Sequence, residues 1–542
     1  MNVQKSLLSL AIVSGLAVVA MPAAAAGKLN SAAASRASAL IGGHAAAVRR
    51  ADADAFAARD VVVDRNGTEH VRFERTYRGL PVIGGDFVVH SRNGKLSGVS
   101  QTLKTSARPA LQARVSRDQA IVEAGARFGS RFIGAPSART VVYARGATPV
   151  LAHEVVFNGI KADQTPTEMH YFVDARSGKI LDQWDTVQTA RPGPGGGSSC
   201  TATAKVGSGM SLTEGTVAID TSLCNGTYQM VDLTRGGGAT HNMAMKTSGM
   251  GALYTDSDNM WGTGLLSNAQ TVAVDAHYGV STTWDYYAEV HGRSGIANDG
   301  KGAVSRVHYG RNYANAFWSD SCFCMTFGDG DNGASILPLV AIDVAGHEMS
   351  HGVTSRSADL TYSGESGGLN EATSDIFGTM VEYYANNSND PGDYVIGEEL
   401  FPNNAAMSNA IRWMFKPSLD GASPDCYSSG IGGIDVHYSS GVANHFYYLL
   451  AEGAVVPAGF GSGTWANLTT ASMVCNGNTA ITGIGRDAAS KIWYRALTVY
   501  MTSNTNYAGA RAATLSAAAD LYGNGTANYN AVAAAWSAVG VN

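Results

Sequence analysis

The sequence predicts an α+β chain of several domains: two small α+β modules, then a unit of two lobes, the first rich in β-structure and the second helical, with a cleft between them. Three observations carry that prediction. At 542 residues the chain exceeds what one core ordinarily serves. A run at residues 191–199, RPGPGGGSS, reads as an exposed, flexible, cleavable linker between two unlike parts. Beyond it, short apolar runs in a Gly-, Thr- and Asn-rich background give way near Val344 to apolar residues at helical spacing.

Residues 1–26 read as an export signal: Lys5 supplies positive charge, residues 7–20 are apolar, and residues 23–26 are small. No later run reaches about 20 apolar residues, so no membrane domain is expected and the product is expected to be secreted. Export puts the six cysteines in an oxidising compartment, with Cys200–Cys224 and Cys426–Cys475 the expected bridges. Cys322 and Cys324 are two residues apart, where a bridge would be strained, which favours the reduced pair.

Residues 27–190 hold strand-like runs at 82–91 and 170–174, with turns at Arg92-Asn93-Gly94 and Arg176-Ser177-Gly178. The similar endings GDFVVHSRNGKLSGVS and YFVDARSGKILDQWD suggest two modules. Nothing there looks catalytic, since His153-Glu154 lacks a second histidine four residues after the first. This segment carries 22 Lys and Arg against 15 Asp and Glu, net +7, whereas residues 191–542 carry 15 against 29, net −14. Opposite charges favour docking of one part on the other. The overall charge of −6 offers nothing to a nucleic acid. Residues 191–345 are expected to form the β-rich lobe. Residues 346–542 are expected to form the helical one, with helical patterns at 344–355, 371–386, 442–452 and 486–501.

The central motif is His347-Glu348-Met349-Ser350-His351. Residues four apart share a helix face, so both imidazoles can reach one metal ion, and Glu348 can project toward a water on that metal. Glu371, 20 residues after His351 in Gly367–Asp375 (GGLNEATSD), can complete a His₂Glu set with a fourth position open. Asp375, one helical turn on, can accept the spare N–H of a ligand histidine. Thr354 and Ser357 stand where the three-histidine zinc-peptidase pattern would need Gly and His.

The stretch HEMSHGVTSRSADLTYSGESGGLNEATSDIFG resembles the active-site region of thermolysin-like peptidases, a group that includes pseudolysin and vibriolysin. The similarity runs from about Ser199 to the C-terminus, and the upstream segment resembles that family's propeptide modules. The resemblance implies a two-lobed thermolysin-like catalytic unit made as a preproenzyme. Zinc would be held by His347, His351 and Glu371, with Glu348 as general base and then proton shuttle. Tyr362 and His437, the latter oriented by Asp435, would hydrogen-bond the developing oxyanion. Asn315 and Ala316 would bind an extended peptide through an edge strand, and Arg412 would grip a substrate carbonyl. Ile336, Leu339, Val344 and Ile411 would line an apolar pocket that favours a bulky hydrophobic residue just after the cleaved bond.

The resemblance further implies one calcium site from Asp343, Glu382, Asp393 and Glu398, with the Val395 carbonyl. It also implies protein and peptide substrates, an inhibitory and folding-assisting propeptide cut near Ala190, and a monomeric mature form. Two other readings compete. Gly364-Glu365-Ser366-Gly367-Gly368 fits the G-x-S-x-G pattern of serine hydrolases, which needs a strand before it and a helix after. A non-catalytic exported binding protein on a peptidase fold would be expected to lose Glu348 or a metal ligand, and this chain keeps both.

Overall fold

The computed structural model describes residues 31–187 and 201–542. The expected export signal, the linker at 191–199 and the expected processing bond near Ala190 lie outside the described residues.

The upstream part contains both expected modules, but they share one ten-stranded sheet. The first packs the helix Ser31–Gly43 on strands Asp54–Val63, Thr68–Tyr77 and Phe87–Arg92, around Ala37, Ile41, Val71, Phe73, Phe87 and Val89. Its Phe87–Arg92 and Lys95–Gln101 hairpin turns on Asn93 and Gly94, both at positive φ (52° and 71°). That is the backbone a tight two-residue hairpin requires. The second module packs the helix Arg117–Gly125, started by a Ser116/Gln119 capping box, on strands Ser137–Tyr143, Val150–Ile160 and Pro166–Asp174. Parallel pairing of Val82 with Val142 joins the modules, so the repeated endings mark halves of a continuous sheet.

The β-rich lobe follows, with the hairpin Thr203–Met210/Thr216–Cys224 and a six-stranded mixed sheet that ends on the edge strand Ala316–Ser319. The helix Ala269–His291 backs both sheets, capped by the Asn268 side chain at its start and by left-handed Gly292 at its end. The helical lobe is built from Ile342–Ser355, Gly364–Ala385, Gly441–Glu452, Arg486–Arg495, Tyr507–Tyr522 and Ala527–Ala538 around one large core. Among the described residues no helix is long and apolar enough to cross a membrane.

The helix carrying Glu371 begins at Gly364, two turns earlier than the apolar pattern suggested, because polar residues such as Ser366 and Asn370 are buried in it. It packs unusually close to the helix Ile342–Ser355. A Cβ on Gly378 would meet the Asp343 carbonyl oxygen at 2.4 Å, and one on Gly346 would meet the Gly378 Cα at 3.0 Å. Only glycine at these crossings lets the two backbones approach, and that approach brings side chains from both helices within reach of one point.

Cys426 and Cys475 are bonded, as expected, and Cys224 is in a disulfide whose expected partner, Cys200, lies outside the described residues. The expectation for Cys322 and Cys324 is corrected: they are joined. Phe323 takes a left-handed φ of 52°, turning the chain so that the two Cα atoms stand 5.2 Å apart, within disulfide reach.

Candidate metal centre and active-site cleft

Every residue of the helix Ile342–Ser355 is buried, so its two histidines point into the protein between lobes. The Nε2 atoms of His347 and His351 face each other at 3.0 Å. Glu371, on the partner helix, places Oε2 3.6 Å from His347 Nε2 and Oε1 3.4 Å from His351 Nε2. Each imidazole is oriented from behind. His347 Nδ1 lies 2.8 Å from Asp375 Oδ1, and His351 Nδ1 lies 2.8 Å from Asn370 Oδ1. The Asn370 amide nitrogen donates to the Leu360 carbonyl, which fixes its oxygen toward the imidazole. Both Nδ1–H groups therefore donate backwards, and both Nε2 lone pairs point at the same space.

This donor set fits zinc. Two facing lone pairs and a buried carboxylate oxygen, Glu371 Oε2, that no donor answers are what a cation between them would satisfy. Burial alone would raise the Glu371 carboxyl, but the imidazoles of His437, His351 and His347 outweigh it and bring it down to about 2. Glu348, 6% exposed, has its carboxyl pushed up to about 7, chiefly by burial.

Around the triad, Tyr362 donates its hydroxyl to Glu371 and lies 3.1 Å from His437 Nε2. The Asp435 carboxylate accepts from His437 Nδ1 at 2.8 Å and caps the short helix Val436–Ser439 by accepting from the His437 amide. Glu371 first, and then Asp435, hold the His437 imidazole above its ordinary value. Arg412 makes a two-pronged pair with Asp375, Nε to Oδ2 at 2.8 Å and Nη2 to Oδ1 at 2.6 Å, while Asn444 donates to Asp375 Oδ2 at 2.7 Å.

A cleft of about 190 Å³ lies over the triad, lined by Asn315, Ala316, Leu339, Val344, Ile411, Arg412 and His437. Ile336 does not line it but sits half-buried in the turn after Gly330, against the β-lobe core. Ile396 does line it, and sequence reasoning missed it: one apolar residue in a two-residue strand has no periodic signal. Asn370 was missed for a like reason, lying unmarked between two assigned residues. Upstream residues Lys161, Thr165, Asp185 and Val187 also line this cleft. The Gln164 amide donates to the Arg311 carbonyl at 2.7 Å, and Thr165 Oγ1 lies 3.1 Å from the Tyr313 hydroxyl. Further contacts join Arg59 to Asp359, Asp64 to Arg495, and Asp86 to the Ser503 amide.

The serine-hydrolase pattern has no such support. Gly364–Gly368 opens a helix with no strand before it, and the 3%-exposed Ser366 spends its hydroxyl on the Thr361 and Ser363 carbonyls.

The expected calcium residues gather at the far end of the same helix pair. Asp343 accepts from the Gly397 amide, Glu382 from the Asp393 amide, and Asp393 from the amide of Val395. Glu382 Oε1, Asp393 Oδ2 and Glu398 Oε2 are buried with no donor, which suits hard oxygen ligands for calcium. Asp390, absent from the sequence expectation, stands within ligand reach of Glu382 and Glu398.

Comparison with known proteins agrees with this geometry. Residues 206–355 match the thermolysin metallopeptidase catalytic domain, residues 358–541 its alpha-helical domain, and residues 54–103 the fungalysin/thermolysin propeptide motif. A transglutaminase-activating metalloprotease of Streptomyces mobaraensis is 50% identical over 489 residues, covering 89% of this chain and 60% of that protein. Thermolysin of Alicyclobacillus acidocaldarius is 38% identical over 496 residues, covering 88% of this chain and 84% of the relative. Bacillolysin of Bacillus caldolyticus is 37% identical over 497 residues, covering 88% and 85%. The chain spans less than two thirds of the first of these relatives and most of the other two. The chain belongs to the thermolysin family of zinc-dependent metallopeptidases and carries that family's propeptide upstream of its catalytic part.

Proposed function

We propose that this chain is a secreted zinc metalloendopeptidase, held inactive by its own upstream modules, that cleaves peptide bonds on the N-terminal side of bulky hydrophobic residues. The observation that carries the reading is the convergence of two facing imidazole nitrogens and an unanswered Glu371 oxygen beside the buried Glu348. His347, His351 and Glu371 would hold zinc, with Asp375 and Asn370 keeping the imidazoles in the ligand tautomer. Zinc bound there supplies Lewis acidity, lowering the pKa of a coordinated water and polarising the scissile carbonyl.

The chain's residues do the rest. Glu348, buried in the cleft beside the two imidazoles, takes the proton of the attacking water and passes it to the leaving amine. Tyr362 and His437 donate to the oxyanion that forms as the carbonyl becomes tetrahedral, and Asp435 keeps the His437 imidazole charged and aimed. The edge strand at Asn315 and Ala316 pairs with the extended substrate, and Arg412, already fixed by Asp375, offers a remaining N–H to a substrate carbonyl. Leu339, Val344, Ile396 and Ile411 present the apolar wall that selects the residue after the cut.

Residues 27–190 would act as intramolecular inhibitor, supported by Lys161, Thr165, Asp185 and Val187 in the cleft. Secretion rests on the N-terminal signal pattern and the disulfides, and a monomeric mature form is proposed with them. Digestion of a peptide library by the processed protein, with and without a zinc chelator, tests the reading. It predicts chelator-sensitive cuts before Leu, Phe or Ile. Chelator-insensitive cleavage, or no preference at that position, would refute it.

A further inference from the structure

Arg59 stands at a bulge in strand Asp54–Val63: Ala58 pairs with Phe73 and Asp60 with Arg72, and Arg59 is the extra residue between them. A bulge re-aims a side chain, and this one leaves its own module for the catalytic part. Its guanidinium donates to the Ser355 carbonyl through Nη2 at 2.6 Å and to Asp359 Oδ2 through Nη1 at 3.1 Å.

The receiving groups suit a cation. Ser355 is the last residue of the helix Ile342–Ser355, where carbonyls lack partners within the helix and the dipole presents its negative end. The preceding Thr354 carbonyl is already taken by the Ser357 and Asp359 amides. Asp359 holds a left-handed φ of 56°, uncommon outside glycine. The nearby Asp320 is engaged elsewhere, paired with Arg356 at 2.9 Å and accepting from Ser355 Oγ at 2.9 Å. Asp359 is in no other ion pair among the described residues. Removal of the upstream modules therefore takes away the cation that these two oxygens share.

The site lies in line with the cleft. Val344, His347, His351 and Ser355 are spaced three, four and four residues apart and share one face of their helix. The apolar pocket is thus at one end, the triad in the middle and the Arg59 site at the other end. The edge strand Ala316–Ser319 follows the same course: Asn315 and Ala316 line the cleft, and Asp320, just past the strand, meets Ser355. Tyr362 lines both the cleft and a cavity of about 430 Å³ that Ser355 and Asp359 also line. A substrate with the residue after its cut in the apolar pocket carries its preceding residues toward Ser355. Ser355 stands about 6 Å along the helix from His351, with Asp359 beyond it, and an extended chain advances about 3.3 Å per residue.

We propose that Arg59 occupies a substrate subsite: in the processed enzyme, Asp359 and the Ser355 carbonyl bind a basic side chain, arginine above all, about three residues before the cleaved bond. One planar guanidinium answers a carbonyl and a carboxylate together, as Arg59 does, whereas a lysine ammonium is a compact point charge. The proposal rests on the endopeptidase reading above.

The test measures kcat/KM of the processed protein on otherwise neutral peptides with Leu after the cut. Arg, Lys, Gln or Glu is placed in turn at each of the second to fifth residues before it. At one position Arg is expected to exceed Gln by about fivefold, with Lys between them and Glu below Gln, and the advantage is expected to shrink at high salt. In Asp359→Asn, which still tolerates the left-handed backbone, the Arg-to-Gln ratio is expected to fall to about one. The ratio compares substrates on one preparation, so a general loss of folding or zinc does not move it. Equal rates for Arg and Gln at every position, in a protein that cuts before Leu, overturn the subsite alone. A preference that survives in Asp359→Asn overturns the assignment to Asp359. No chelator-sensitive cut before Leu removes the endopeptidase reading and the subsite with it. If Asp359→Asn does not mature, Asp359→Gly and the parent scan decide.

Discussion

Asp375→Asn is the substitution whose consequences the geometry defines most closely. Asp375 is 1% exposed, and its two oxygens accept from His347 Nδ1, twice from Arg412, and from Asn444. Asparagine keeps one acceptor oxygen. If that oxygen stays with His347, an NH₂ group is turned on the Arg412 and Asn444 donors, and the guanidinium loses the carboxylate it is paired with. Removing one member of a buried ion pair costs about 3–5 kcal/mol. Weakening the carboxylate behind a metal-binding histidine costs about 10–100-fold in metal affinity. Both losses are expected from this one atom change, measured as denaturant stability of the zinc-free protein and zinc affinity against a competing chelator. Asp435→Asn serves as the control, because its exposed carboxylate caps a four-residue helix and should move stability by no more than about 1 kcal/mol. Zinc affinity within twofold of the parent in Asp375→Asn would refute the claim that Asp375 orients His347.

Three other outcomes are expected. Glu348→Ala should retain stoichiometric zinc yet lose at least ~10³-fold in kcat/KM, as removal of a general base implies; unimpaired turnover would end the proposed mechanism. The buried pair His70 and His90, 2.7 Å apart through their Nδ1 atoms, sits where the propeptide meets Arg495 and Tyr500. Burial first, and then neighbouring cationic groups, depress His90 to about 3, and burial depresses His70 despite Asp64. Both groups bind protons more readily once released, so docking is fully favoured above about pH 6.5 and weakens as pH falls toward 3. For His90 alone the loss at pH 5 is about 2 kcal/mol. Hydrogen exchange in strands Thr68–Tyr77 and Phe87–Arg92 of the full-length Glu348→Ala chain should rise at pH 5, after correction for intrinsic rates, and less so in His90→Asn; protection independent of pH would contradict this. Replacing Cys426 and Cys475 by serine should cost about 4 kcal/mol of stability, from a closed loop of 49 residues, and a loss below about 1 kcal/mol would show that the bridge adds little.

What was legible in the sequence depended on how local its physical cause is. His347 and His351 share a helix face by spacing alone, and Asp375 follows Glu371 by one turn, so the centre could be read from two short segments. The lobes were legible in the change of apolar period near Val344. The closeness of the two helices was not, because it depends on Gly346 and Gly378 meeting across a crossing that no single segment encodes. Asp390 was invisible for the same reason: it is an ordinary acidic residue until the fold buries it within reach of Glu382 and Glu398. The Cys322–Cys324 bridge was misjudged because spacing says nothing about the left-handed turn at Phe323 that makes it reachable. The two upstream modules were recognised by their repeated endings, yet their fusion into one sheet rests on a two-residue parallel pairing at Val82 and Ile83.

X-ray absorption at the zinc edge of the zinc-loaded full-length chain examines the triad directly. Two imidazole nitrogens and one or two oxygens at about 2.0–2.2 Å, no sulfur, and one imidazole fewer in His351→Ala are the expected result. A sulfur ligand, a third imidazole, or a spectrum unchanged by His351→Ala or Glu371→Ala would contradict it.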